Sequence, residues 1–304
     1  MRIAQVVSTF APRLGGMGIV CAQEALELVK AGHEVTVFTL QYDGEDYRDH
    51  DKQFPFKIVR LKPWIKLGDA GLVPQIIRKI QNSFDLVHLH YPFYGGAEWL
   101  WFIKVPLVIT YHMDAQVGGI KLLIEYIYNL LWPQLLFAKA KTIITVDKIF
   151  SQSKLLKGVS QDKIVEIPNG VDVEIFKSQT LIVQLPDLRQ YANKKIILFV
   201  GNFLPLKRLD LLLKSVQLLQ NKEVLLLVVG GVARLETYKQ MSKELGVESQ
   251  VTFAGPCQDK NILAQYYNLA TCVVVPSDYE SFSLVAIEAM ACAKPLVLSN
   301  LPGL

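Results

Sequence analysis

The chain has 304 residues, of which 51% are hydrophobic and 20% charged, and it carries a formal net charge of +4. At about 150 residues per domain this length favours two domains, and the apolar content excludes wholesale disorder. The slight positive balance offers none of the basic footprint that nucleic-acid binding requires.

In chain order, the run from Ile3 to Val7 predicts a strand, followed by a glycine-rich loop from Pro12 to Gly18. A helix from about Ile19 to Lys30 stops at Ala31-Gly32, where glycine can adopt the left-handed conformation that ends a helix. Strands are predicted at 35–39, 57–61, 86–90, 107–110, 142–146 and 164–167, and the turn Pro168-Asn169-Gly170 closes this first series. Residues 173–193 lack periodicity, contain Pro186 and read as a linker. A second alternation follows: strands at 196–200, 224–229, 251–253, 272–275 and 295–298, with helices at 209–219, 235–245, 262–270 and 282–291. Short apolar runs alternating with helices indicate an α/β protein built on two doubly wound parallel sheets. The domains are expected at 1–172 and 194–304, with ligands beyond the carboxyl ends of the strands.

Cys21, Cys257, Cys272 and Cys292 are scattered without a C-x-x-C pair. That spacing argues against a disulfide framework or structural zinc and for a reducing compartment. The N-terminus lacks a secretory layout, so a cytoplasmic location is expected, with the inner face of the cytoplasmic membrane as a second setting. The most apolar stretch, 120–137, holds Lys121, Glu125, Asn129, Pro133 and Gln134. A membrane span tolerates those poorly. A packed helix is one reading, and peripheral contact with a membrane or a lipid-linked acceptor, through Tyr126, Tyr128 and Trp132, is the other.

The segment Glu280 to Glu288 carries the most chemistry. Glu280 precedes a helix beside its unpaired first-turn amides, whereas Glu288 lies within it on an apolar face and needs a defined partner. Carboxylates accept hydrogen bonds from vicinal hydroxyls, and helix-start amides suit anionic oxygens. A capped surface helix with a glutamate paired to a lysine is the alternative. Lys207 and Arg208 follow a predicted strand in Gly201-Asn202-Phe-Leu-Pro-Leu-Lys207, where a lysine can meet phosphate charge; no P-loop occurs. Taken alone, two solvated surface cations would be the favoured explanation. The loop at Gly15, Gly16 and Gly18 resembles a dinucleotide fingerprint but has Cys21 in its third position and no acidic residue after the second strand. It can present amides to an anion, or be a plain turn. His88 and His90 sit two apart on one strand and share a side, and His112 follows the next strand. Three histidines invite a metal reading, but the strand pair falls short of a closed ligand set; a hydrogen bond to a ligand suits a histidine at a strand's carboxyl end.

An ordered series of motifs runs through nearly the whole chain: the Gly-Gly loop at 15–16, Ala-Gly-His-Glu-Val at 31–35, Asp85-Leu-Val-His-Leu-His90, Thr110-Tyr-His112, Ile167-Pro-Asn-Gly-Val-Asp172 with Phe176, Lys207, Val251-Thr-Phe-Ala-Gly255, and Glu280 to Glu288 continuing into Ala289-Met-Ala. In this series the chain resembles the retaining GT-B glycosyltransferases of glycosyltransferase family 4. The resemblance implies two Rossmann-like domains facing across a cleft, a nucleotide-diphosphate-sugar donor held mainly by the C-terminal domain, a glycan or lipid-linked acceptor, and no metal or other cofactor. It implies that Glu280 contacts the transferred sugar, Glu288 the ribose and Lys207 the diphosphate. Amides at Phe282, Ser283 and Leu284 would hold sugar or phosphate oxygens, Gly15 and Gly16 would approach the diphosphate, and His112 would bond the donor sugar. Asn202 stands where the family usually has a diphosphate-binding arginine, Arg208 at a usual glycine and Ser283 at a frequent one. Family members generally continue past Leu304, so the second domain is expected to be incomplete. A non-catalytic nucleotide-sugar-binding protein or fragment, and a sugar-nucleotide epimerase or phosphorylase of the same architecture, are the alternatives.

Overall fold

The structure, a computed structural model, describes residues 1–13, 15–42, 47–68, 70–113, 132–147, 153–179, 193–231, 233–301 and 303–304. The chain divides into two compact units, Met1–Pro168 and Asn169–Leu304.

The first unit opens with β1 (Arg2–Val6), α1 (Gly16–Lys30), β2 (Glu34–Leu40), α2 (Arg48–Asp51) and β3 (Lys57–Leu61). Next come β4 (Lys66–Leu67) and β5 (Ala70–Gly71), an antiparallel hairpin of their own, and α3 (Ile76–Ile80). The unit continues with β6 (Leu86–Tyr91), β7 (Leu107–Tyr111), α4 (132–139), β8 (Thr142–Thr145) and β9 (Ile164–Glu166). The sheet order is β3-β2-β1-β6-β7-β8-β9, and every pairing is parallel. The hairpin, α2 and α3 are too short to leave a periodic signal and were not expected from the sequence. Of the apolar stretch at 120–137, residues 120–131 lie outside the described residues and the remainder belongs to α4. Among the described residues no helix is long and apolar enough to cross a membrane.

Helix α1 begins at Gly16, three residues before the expected Ile19. Gly15 is extended (φ −158°, ψ 142°) and the helix turns directly out of it. A Cβ on Gly18 would stand 2.6 Å from the Thr9 carbonyl oxygen, so glycine lets the first helical turn lie against the chain leaving β1. Val20, Cys21 and Ala25 are buried, and Cys21 and Ala25 pack with Val35 and Val37 of β2.

In the second unit, β10 (Lys195–Val200), α5 (Leu209–Leu219), β11 (Val224–Val229), α6 (Leu235–Glu244), β12 (Val251–Gly255), α7 (Lys260–Leu269), β13 (Cys272–Val275), α8 (Leu284–Ala291) and β14 (Leu296–Leu298) alternate. Its parallel sheet has the order β12-β11-β10-β13-β14. Alternate residues of β11 face opposite ways, as the pleat requires. Leu226 and Val228 pack with Leu209, Leu213 and Tyr238 from α5 and α6, while Leu225 and Leu227 pack with Tyr267 from α7, Ala289 from α8 and Cys292 just past its end. Phe176, within the segment read as linker, is fully buried in this second cluster. The Asn268 amide donates to the Lys177 carbonyl and its Oδ1 accepts from the Gln179 amide, so 176–179 is tied to the second unit; 180–192 lies outside the described residues.

Both sheets reverse direction at their first strand. After β1 the chain builds outward through β2 and β3, then returns to place β6 on the other side of β1; β10 stands in the same relation to β11 and β13. Such a reversal leaves a crevice at the carboxyl ends of the two strands that part company, which is where open α/β sheets bind ligands.

Candidate functional site

In the second unit the reversal brings together two loops distant in sequence. Leaving β10, the chain forms a turn at Pro205–Lys207 and enters α5 through Arg208 in the left-handed conformation (φ 52°). Leaving β13, residues 276–283 lead into α8. The Asp278 amide donates to the Leu206 carbonyl (2.8 Å), joining the loops. Lys207 Nζ then lies 2.5 Å from Glu280 Oε1, and the Ser277 hydroxyl donates to the same oxygen at 2.9 Å. The glutamate side chain is 9% exposed and the lysine 25%. The expected lysine and the expected acid thus meet across 73 positions of sequence.

Arg208 is committed elsewhere. Its guanidinium pairs with both Asp278 oxygens (2.9 and 3.0 Å) and with Asp210 (3.2 Å), and these acids raise its pKa, Asp210 first. Asn202 is exposed in the loop after β10, and Phe282 and Leu284 are half-buried around the start of α8.

Helix α8 starts at Leu284, two residues later than expected, because Ser283 caps it: the hydroxyl accepts from the Ala286 amide (3.3 Å). The Ser283 amide donates to the Gly303 carbonyl (3.3 Å). First-turn amides such as those of Leu284 and Val285 have no intrahelical acceptor, as in any helix, and give this end its attraction for anions.

Glu288 has the defined partner that its apolar face requires. Tyr267 Oη donates to Glu288 Oε2 at 2.7 Å. Burial raises the Glu288 pKa from 4.5 to about 7, against the Tyr267 hydrogen bond and the charge of Lys260, which both favour the carboxylate. Neither Ser277 nor Tyr267 was read from the sequence, and nothing local to either residue marks it.

In the first unit, the Gly15-Gly16 turn is the N-terminus of α1 and has no side-chain cap. A Cβ on Gly16 would meet nothing within 4 Å, so the backbone there is open to close approach. His112, directly after β7, is buried, and its Nε2 lies 2.9 Å from His90 Nδ1; His90 Nε2 lies 2.6 Å from Gln5 Oε1. Thr110 Oγ1 is 2.7 Å from His88 Nε2. Burial holds His88 down to about 4 and His112 to about 3, so both rings are neutral near pH 7. Glu24 of α1 stands over His88 and His90. Burial raises its pKa to about 7, offset in part by the Gln5 carboxamide. Gln5 and Glu24 were missed, yet each has a sequence signal: a glutamine within an apolar strand and a carboxylate on the helix stripe of Cys21 and Ala25. Donor atoms of Glu24, His88 and His90 lie within 4.8 Å of one another. However, His90 Nε2 already faces the Gln5 carbonyl oxygen, which takes a proton rather than sharing an ion. One Asp-x-Asp spacing also occurs, Asp49-His50-Asp51, but Asp51 is bound by Arg60 (2.6 and 3.1 Å) and Asp49 by Lys52 (3.0 Å).

The Glycosyltransferase Family 4 model matches residues 14–175 and the Glycosyl transferases group 1 model residues 184–304. The chain belongs to glycosyltransferase family 4. It is a glycosyltransferase of GT-B type with two Rossmann-like units. Among curated relatives, a D-inositol 3-phosphate glycosyltransferase of Mycolicibacterium vanbaalenii is 30% identical over 95% of this chain and 71% of its own length. One of Mycolicibacterium smegmatis is 29% identical, with 95% and 72% covered. Among solved structures, Anabaena HepE in complex with UDP-glucose shares the fold (TM-score 0.79, 19% identity, 100% of this chain and 81% of that one). So does sucrose-phosphate synthase from Thermosynechococcus elongatus (TM-score 0.76, 25% identity, 99% and 82%).

Proposed function

We propose that this family 4 member transfers a hexosyl group from a nucleotide-diphosphate sugar to an acceptor hydroxyl with retention and without a metal ion. The observation that carries the reading is the meeting of Lys207 and Glu280 beside the start of α8, at the reversal of the second sheet. A diphosphate needs positive charge where its bond to the sugar breaks, and an ammonium with helix-start amides supplies it in place of a cation. Lys207 and the Leu284 amide are assigned to the diphosphate, the Ser283 amide being engaged by the Gly303 carbonyl. Glu280, an acceptor-only group held by Ser277 and Lys207, is assigned to hydroxyls of the transferred sugar. Glu288, with one oxygen bound to Tyr267, is assigned to the ribose through the other. His112 is assigned to the donor sugar and the Gly15-Gly16 turn to the diphosphate. Asn202 and Arg208 border this site; with Arg208 tied to two acids, Lys207 is the principal cation.

In the reaction the bond from the anomeric carbon to the phosphate oxygen breaks and one from that carbon to the acceptor oxygen forms. The acceptor proton leaves on the departing phosphate, on the same face of the sugar. Neither glutamate acts as a covalent nucleophile. Anabaena HepE, which shares this fold, holds UDP-glucose in its complex, and that supports a nucleotide-hexose donor.

The test is a panel of UDP-, GDP- and ADP-sugars read by thermal unfolding and by product formation in the presence of EDTA. One donor at 100 times its Kd should stabilise the fold by about 2.7 kcal/mol and support transfer. Failure of every donor to raise Tm would overturn the reading, and binding without turnover would favour a non-catalytic nucleotide-sugar-binding protein.

A further inference from the structure

Parallel strands covered on both faces are ordinarily apolar runs, yet the three central strands of the first sheet carry a connected polar ladder. Gln5 on β1 is in register with His88 on β6, and His90 on β6 with Thr110 on β7. Paired positions share a face, here the one that α1 covers. The rings of His88 and His90 stack at 4.7 Å, and those of His90 and His112 at 5.1 Å. Glu24 closes the ladder from α1, its Oε2 3.5 Å from His88 Nδ1 and 3.7 Å from His90 Nε2, too far for a good hydrogen bond. That oxygen is buried without a hydrogen-bond partner. Cys21, one turn earlier on α1, is buried beside it, its thiol pushed well up by burial and by Glu24.

A neutral imidazole has one proton for two nitrogens, so each contact fixes the next. With Gln5 Oε1 facing it, His90 must donate from Nε2. Its Nδ1 is then a bare lone pair, and the 2.9 Å contact requires that His112 donate from Nε2. His112 Nδ1 is left without a proton. What sets the direction is the Gln5 carboxamide, whose opposite rotamer would reverse every donor. A carboxylate at Glu24 favours the carboxamide NH2 on its own side and hence the oxygen toward His90.

We infer that Glu24, Gln5 and His90 are positioning residues that hold His112 as the neutral Nε2–H tautomer, so that its Nδ1 accepts a hydrogen bond from a donor-sugar hydroxyl. The catalytic part of this rests on the assignment of His112 to the donor sugar; the tautomer does not. The groups facing His112 through this ladder are His88 and His90 from β6 and Glu24 and Cys21 from α1. Burial foremost, and His88 next, depress the His112 pKa, which keeps the ring uncharged through the neutral range.

The test is imidazole 15N NMR of the full 304-residue chain between about pH 5 and 9, the range in which an ordinary histidine titrates. His112 is identified by its loss in His112→Ala. The expected wild-type spectrum above about pH 8, where Glu24 is a carboxylate, has Nε2 protonated and Nδ1 unprotonated. As pH falls through about 7 and Glu24 takes up its proton the second neutral tautomer appears, and no imidazolium forms across this range. A proton on Nδ1 above about pH 8, or formation of the imidazolium with a midpoint near the ordinary value, overturns the inference. Because the wild-type spectrum decides the tautomer, the result does not depend on any variant folding. Glu24→Gln keeps the shape and removes the charge; it should yield both tautomers and lower kcat about 10-fold or more, as loss of a ligand-orienting partner does, while KM for the donor changes less than about twofold. A single tautomer with unchanged kcat in Glu24→Gln removes Glu24 from the device. An unchanged transfer rate in His112→Ala would instead overturn the assignment of His112 to the sugar, whatever the tautomer.

Discussion

Glu288→Gln offers a quantitative test of the electrostatics at the candidate ribose site. The substitution preserves an acceptor for Tyr267 and removes one titrating carboxyl. In the folded chain burial raises this carboxyl from 4.5 to about 7, so between those values the native state holds a proton that the unfolded chain has released. Stability from this source is complete below the unfolded pKa and is lost as pH rises through the folded one. The loss is about 1.4 kcal/mol per pH unit and reaches about 3 kcal/mol over the window. The variant escapes it. Its stability relative to wild type should therefore shift in its favour by about 3 kcal/mol between about pH 4.5 and 7.5. Other titrating groups, including His88 and His112, whose depressed values (about 4 and about 3) weaken the fold as pH falls below 6.5, cancel in the difference. The assay is urea unfolding of both proteins by circular dichroism at several pH values, with m constant so that only stability differs. A difference that stays flat with pH would show that Glu288 ionises as an ordinary surface carboxylate and would refute the reasoning.

Two further outcomes are expected. Lys207→Ala should fold and should lower kcat at saturating donor by about 10²–10³-fold if the ammonium meets developing negative charge; an unchanged rate would remove it from the mechanism. Gly230→Ala should lose roughly 2–3 kcal/mol in urea unfolding through backbone strain and forced displacement, because its φ is +130° and a Cβ would stand 2.1 Å from the Gly201 carbonyl oxygen. An unshifted midpoint would mean that the loops after β10 and β11 can separate without penalty.

The placement of the site follows from sheet topology more than from the identity of any residue. Lys207 and Glu280 belong to loops that meet because β10 and β13 are neighbours at the reversal. Gln5 and His90 meet because β1 and β6 are neighbours at the reversal of the first sheet. Each unit thus concentrates polar side chains where its strand order turns back, and there a parallel sheet has room for a ligand.

Much of the fold is legible along the chain. The runs Leu209–Leu219, Val224–Val229 and Cys272–Val275 have the bounds that their periodicity implies. Where expectation and structure part, the cause is local and particular. Glycines at 15, 16 and 18 let α1 begin early, and Ser283, acting as a cap, makes α8 begin late. Glu288 could be read as needing a partner, because a carboxylate on an apolar stripe must be satisfied. That the partner would be Tyr267, 21 positions away, could not. The hairpin of β4 and β5 is too brief for any periodic pattern to announce.

Side-chain periodicity, glycine and proline punctuation and the types of residue at strand ends determined by themselves the two alternating α/β series and the candidate acids, lysine and histidines. These are local properties, written within a few residues of one another. Only the tertiary structure decided that Lys207 reaches Glu280 while Arg208 is drawn to Asp210 and Asp278, and that His112 joins a ladder through His90 to Gln5. Those contacts depend on which strands lie side by side. Strand order is set by the packing of helices on both faces of a sheet, and no local pattern encodes it.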